Sequence, residues 1–213
     1  MSSRISSTAR GVAWLAIITG IIGGCFVGYH IWDPMAGHRE AALQGQLRQA
    51  WKTRSAIRPV ARTSECAIIA GTLRPSQPFA IMTIPRFSPA WRFAVVQGTT
   101  LAQLATGPGH ITGTAMPGGR NFAVAAHDIT AGNAFLHLGS LRQGDLIRVK
   151  TRDCLYTYQV NRPPFRVRYT DTAVLRGAPG QRRITLVTCW PVTLAFTPWR
   201  IIADGTLLSE QPR

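Results

Sequence analysis

The stretch Arg183-Ile-Thr-Leu-Val-Thr-Cys189-Trp-Pro191 decides how the rest of this chain is read. Residues 184–189 crowd β-branched and apolar side chains as a strand does. The run stops at a cysteine followed at once by Trp-Pro, and proline cannot continue a β-ladder. A thiol therefore sits at a strand terminus, where the sheet fixes its backbone and a substrate can still reach it. Working outward, the same strand grammar recurs. Residues 79–85 and 91–96 flank a Ser-Pro turn, and residues 121–126 form a nearly continuous apolar strand. In Leu146 to Lys150, Ile147 and Val149 face inward while Arg148 and Lys150 face outward, the period of a half-buried strand. Cys154, Tyr156, Tyr158 and Val160 make the next apolar face, and residues 199–203 follow the thiol as a further strand. Short helical pieces fit 101–106, 134–141 and 171–175. Many short strands, few helices and frequent Gly/Pro turns predict an all-β fold, a closed barrel in preference to a sandwich.

A length of 213 residues with 46% hydrophobic content is enough for one cored domain with appendages. The formal charge is +15, carried by 22 Arg against 2 Lys. Such a balance suits an anionic partner or surface, and GC-rich coding would produce the same arginine bias. With 8% aromatic residues, no long basic run and no helix-turn-helix, RRM or zinc-finger pattern, the sequence points away from nucleic acid.

The amino terminus organises differently. Residues 1–10 are a basic polar tail, and residues 11–32 contain no Asp, Glu, Lys or Arg. That run meets the roughly 20-residue requirement of a membrane-spanning helix, with Trp14, Tyr29 and Trp32 placed as interfacial anchors. Arg4 and Arg10 before it predict a cytoplasmic N-terminus and an extracellular remainder at the plasma membrane. A cleavable signal peptide is the competing reading, but the run is long for one and no small-x-small site follows; Ile22-Gly-Gly-Cys25 resembles a lipoprotein cleavage site only faintly. Residues 33–78 read as a juxtamembrane helix and linker. Its helical part has Leu43, Leu47, Ala50 and Trp51 at helical spacing and a basic face suited to anionic headgroups, or it serves as a plain spacer. The catalytic region is placed at 79–208, with a short tail at 209–213.

A cysteine nucleophile needs a base to make its thiolate, and a leaving group needs a proton donor; histidine supplies either near neutral pH. Of five histidines, His30 lies in the apolar segment, His38 in the spacer, His137 in a short helical piece and His110 in a Gly-Pro-Gly-His turn that suits a surface or structural role. His127 ends strand 121–126, the same terminal placement that Cys189 has. Arg200, at the start of the next strand, offers a guanidinium for an oxyanion.

Together these residues resemble the sortases. Thr185-Leu-Val-Thr-Cys189 is similar to their TLxTC signature, and the segment from Gly107 to His127 to the one ending in their catalytic histidine. Leu141-Arg-Gln-Gly-Asp145 and the Ile84-Pro85 opening strand agree as well, so the resemblance covers about 79–208. It implies a sortase-type eight-stranded β-barrel, with Cys189 as nucleophile, His127 as general acid/base, Arg200 holding substrate and oxyanion, and Thr188 shaping the substrate pocket. No Cys/His spacing in the chain suggests zinc and no carboxylate cluster suggests a calcium site, so no cofactor and no metal is expected. The resemblance also implies cleavage of an LPxTG- or LAxTG-type sorting signal between Thr and Gly through a thioacyl intermediate, then transfer to an amine. The partners would be secreted proteins carrying that signal, and a lipid-linked peptidoglycan precursor or pilin lysine as acceptor. The Gly-Pro-Gly-His and Gly-Thr-Ala-Met-Pro-Gly runs favour class E, with class D or a Gram-negative type as alternative. Trp190-Pro191 departs from the His-Pro usual in class E, and residues 192–198 form an apolar loop.

Two other readings compete. A cysteine L,D-transpeptidase would need a Ser-His/Arg-Gly-Cys-x-Arg arrangement, which is absent; a non-catalytic arginine-rich wall- or membrane-binding module would need no thiol. Cys154 on an apolar face is read as a core thiol and Cys66 as a linker residue, although an extracellular setting permits a disulfide.

Overall fold

The structure is a computed structural model that describes residues 38–52, 66, 73–191 and 197–213. The expected span at 11–32 and most of the expected linker lie outside these residues, and among the described residues no helix is long and apolar enough to cross a membrane.

Nine strands are present among the described residues: β1 (Pro78–Thr83), β2 (Arg92–Gln97), β3 (Gly109–His110), β4 (Asn121–Ala125), β5 (Leu146–Lys150), β6 (Cys154–Val160), β7 (Phe165–Arg168), β8 (Arg183–Trp190) and β9 (Trp199–Pro212). They form one sheet in the order β6-β5-β1-β2-β3-β4-β8-β9-β7, and a further β6–β9 pairing closes it. Eight strands thus complete a barrel and β7 hangs on β9 outside the ring. The predicted eight-stranded all-β barrel agrees with this closure. Phe122, Val124, Ile147, Val149, Tyr156, Tyr158, Ile184 and Leu186 fill its interior, the inward halves of the alternations seen in the sequence.

Strand β9 is the long element, because its two halves have different partners. Residues 199–206 pair with β8, and Gly205 to Pro212 pair with β6. The tight crossing of β2 and β3 depends on Gly109, where a Cβ would stand 2.1 Å from the Gly98 carbonyl oxygen.

A helix α1 covers 38–52, and α2 (Leu101–Leu104) starts with a capping box between Thr100 and Gln103. Glu40 and Leu47 of α1 are buried and Leu43, Gln44 and Trp51 half-buried, one stripe at helical spacing. Glu40 Oε1 accepts from Ala94 N at 2.5 Å and Gln44 Nε2 donates to Arg92 O at 3.4 Å, so α1 has a face turned to β2. Leu43, Leu47 and Trp51 of the expected helical stripe lie on this face, whereas Ala50 is exposed and the polar Glu40 and Gln44 complete it.

The reading of Cys154 as a core thiol needs correcting. Cys154 is bonded to Cys66, 88 residues earlier, with Cα atoms 5.7 Å apart. Its apolar setting was read correctly, since it is 1% exposed, but burial on a strand face is equally compatible with a disulfide. Among the described residues the group able to offer three metal-ligating atoms is Cys66, Cys154 and Glu210, and the disulfide occupies both sulfurs.

Candidate active site

Register brings the strand-end residues together. Strands β4 and β8 are parallel, with Ala125 opposite Val187. Continued two residues past its last pair, this register would set His127 level with Cys189. On the other side of β8, antiparallel pairing sets Cys189 directly opposite Arg200, and β7 sets Val167 opposite Arg200. Paired residues share a face of a sheet, so thiol and guanidinium emerge on one side. One step back on that face runs the apolar row Ala125, Val187, Ile202 and Phe165.

The end of β4 is held in two ways. Thr188, 4% exposed and on the alternate face from Cys189, donates its hydroxyl to Ala126 O at 2.8 Å, tying β8 to β4 where the ladder ends. The chain then turns through Ala131, Gly132 and Asn133, all at positive φ, and Phe135 N returns to bond His127 O at 3.0 Å. Phe135 is fully buried, so this turn is anchored in the core. Strand β8 ends at a cis Trp190–Pro191 bond.

Cys189 is the free cysteine among the described residues. Burial pushes its thiol above the ordinary cysteine value, Arg200 pulls it down, and Asp128 raises it. Burial pulls His127 below the ordinary histidine value, opposed by Asp128. Both burial effects favour the neutral thiol and neutral imidazole as the resting pair near neutral pH. Arg200 Nη1 donates to Thr197 O and Trp199 O, both at 2.8 Å, which fixes the guanidinium against the backbone at the start of β9.

The sequence reading did not single out Asp128. It is 5% exposed; its Oδ1 accepts from Ile129 N at 2.9 Å, and its Oδ2 has no hydrogen-bond partner among the described residues. Burial raises its carboxyl above the ordinary aspartate value, while its backbone bonds, His127 and Arg200 lower it. Its position next to His127, in a chain with 9 acidic residues, was the available signal.

His110 is a structural residue, as its turn suggested, but a buried one. Its ring bonds Gln97 Oε1 at 2.8 Å and Thr114 Oγ1 at 3.0 Å, and packs against Phe79 and Phe122. His137 precedes the short 3-10 helix Leu138–Ser140 and packs edge-on to Phe87.

Comparison with known proteins gives one consistent relationship. The family model described as the sortase domain matches residues 82–208. Sortase SrtE1 of Streptomyces coelicolor is 27% identical over 223 residues, covering 96% of this chain, and the chain spans 58% of that relative's length. The structure of sortase E from Streptomyces avermitilis is 34% identical, with a TM-score of 0.59, over 65% of this chain and 93% of that one. Sortase E1 from S. coelicolor, solved with a tripeptide in its active site, is 29% identical with a TM-score of 0.57, over 67% and 94%.

Proposed function

The chain belongs to the sortase family, and on that premise we propose that it is a class E-like, membrane-anchored cysteine transpeptidase with Cys189, His127 and Arg200 as its catalytic groups. The observation that carries this reading is the register: Cys189 stands opposite Arg200, and His127 follows the neighbouring parallel strand two residues past its last pair, as Cys189 stands two residues past Val187. The apolar row behind them offers a bed for the apolar residues of a sorting signal, and Thr188, on the opposite face of β8, ties that strand to the end of β4.

Acylation proceeds from a neutral pair. His127 takes the Sγ proton as the sulfur attacks the carbonyl between Thr and Gly of an LPxTG- or LAxTG-type signal. Negative charge then develops on the carbonyl oxygen, where the Arg200 guanidinium stabilises it. The C–N bond breaks as His127 returns the proton to the departing amine, leaving a thioacyl enzyme. In the second half, an acceptor amine forms the new C–N bond and His127 removes its proton, then the C–S bond breaks and His127 returns that proton to Sγ, restoring the neutral pair. The acceptor is the amine of a lipid-linked peptidoglycan precursor or a pilin lysine. Anchoring through residues 11–32, with the catalytic domain facing the cell wall, brings both substrates to the same membrane surface.

The test is to incubate the full-length chain in detergent with a panel of sorting peptides and search for the thioacyl adduct by mass spectrometry. An adduct mapped to Cys189, abolished in Cys189→Ala, is the expected result. Neither adduct nor cleavage with any peptide in the panel would overturn the reading.

A further inference from the structure

The strand-end pair accounts for His127, Cys189 and Arg200 and leaves one buried ionisable neighbour without a task. We propose that Asp128 is a positioning residue for the proton of the thiol–imidazole pair: its buried carboxylate, fixed by Ile129 N and carrying one oxygen without a hydrogen-bond partner, imposes a negative charge on His127 and Cys189. The proposal rests on the reading of Cys189 as the nucleophile and goes beyond it by assigning the group that decides where the pair's proton resides.

Three charged or titratable groups are electrostatically coupled to this site: His127, Cys189 and Arg200. Arg200 would cancel the carboxylate if the two were in contact. Its Nη1 is bonded instead to Thr197 O and Trp199 O, and none of the ion pairs recorded among the described residues involves Asp128. The carboxylate is itself buried and has no ion-pair partner among the described residues, and a buried charge is felt more strongly than one in water. It stabilises imidazolium and opposes thiolate, so both groups hold their proton to higher pH than they would beside a neutral residue. That suits a group which must deliver a proton to a departing amine. Asp128 itself neither gains nor loses a proton in the cycle: the Sγ proton passes to His127 and from it to the amine nitrogen.

Asp128→Asn isolates the charge, because the amide oxygen can still accept from Ile129 N at nearly the same volume. In the full-length chain in detergent, the rate of alkylation by iodoacetamide is measured against pH and read by mass spectrometry on the peptide containing Cys189, which separates it from Cys25. The midpoint for Cys189 is expected to move to lower pH by about one unit, and both limbs of the kcat/KM profile for peptide cleavage to move the same way. A midpoint unchanged from wild type overturns the proposal. Asp128→Ser, which keeps a short oxygen acceptor without charge, gives the same test should the asparagine variant fold poorly. Alkylation needs no sorting peptide, so failure to cleave any peptide would count against the transpeptidase reading alone, while an unshifted midpoint would count against the role of Asp128 alone.

Discussion

Glu40 on α1 and Asp128 beside the thiol make an instructive pair. Both are buried acids, at 8% and 5% exposure, and each holds one carboxylate oxygen by hydrogen bond and leaves the other without a partner. Their surroundings differ. Glu40 bonds Ala94 N and Gln44, and its second oxygen faces Gly107, where a Cβ would stand 3.3 Å away. These neighbours are neutral, and burial pushes its carboxyl up from about 4.5 to about 7. Asp128 is also raised by burial but is pulled back by His127 and Arg200. The same unpaired oxygen therefore has opposite consequences. At α1 the charge is a cost charged to helix docking, whereas at the strand ends it is shared with His127 and Arg200, groups of the proposed catalytic set. A buried acid becomes part of a reaction centre through the ionisable groups it is coupled to.

The largest expected effect tests how the two regions are held. The chain between α1 and β1 is tied to β6 by Cys66–Cys154, whereas the strand ends rely on non-covalent contacts. Closing a loop across 88 residues restricts the unfolded chain, a contribution of about 4.6 kcal/mol on chain-entropy grounds. Replacing both cysteines by alanine, or reducing the bond, is expected to lower thermal stability by that order in a denaturation curve. Iodoacetamide reactivity of Cys189 in the folded protein should be unchanged. Loss of the Cys189 pH profile together with the disulfide would break the contrast between the regions.

Glu40 comes next, through pH. Because its folded value is raised, docking of α1 is most favourable below about pH 4.5, where the group is neutral in both states, weakens as pH rises towards 7, and is constant above that. A shift of this size corresponds to about 3 kcal/mol between the two limits. Glu40→Gln keeps an acceptor for Ala94 N and should flatten the fall in stability across this window. A variant whose stability follows pH as the wild type does would remove Glu40 from the account.

How much was legible in the sequence follows from what each feature depends on. Strands β1, β2, β4, β5, β6 and β8 announce themselves by local alternation or apolar runs, and His127 and Cys189 by standing where two of them stop. Strand β7 and the far half of β9 did not. In β9, Asp204 and Gly205 read as the end of a strand. In the structure Asp204 bonds Arg183 and Arg162, while Gly205 lies where a Cβ would be 2.8 Å from Gln159 O, so a long-range ion pair and a close backbone approach let the strand continue. The disulfide was illegible because its partners lie 88 residues apart and neither carries a local mark of the other. Only the adjacency of Asp128 to His127 was legible; its burial is set by how the turn after β4 folds back through Phe135 onto His127.

The smallest expected effect bears on what holds His127 level with Cys189. The β4–β8 ladder pairs residues only as far as Ala125 and Val187, two residues short of both reacting groups. Beyond it, Ala126 N bonds Val187 O at 3.2 Å and the Thr188 hydroxyl bonds Ala126 O at 2.8 Å. Thr188→Val keeps the shape and removes the hydroxyl, leaving a carbonyl with one partner fewer, a loss of about 1 kcal/mol and about 2–4 °C in Tm for a chain of this size. Because the tether lies between the two catalytic strand ends and on the face away from the thiol, its removal should let them drift apart without touching bound peptide. The expected signature is a severalfold lower kcat with KM nearly unchanged, restored in Thr188→Ser. A rise in KM alone would mean instead that Thr188 acts on the substrate pocket, and that the fixed separation of His127 and Cys189 comes from the anchored turn after β4.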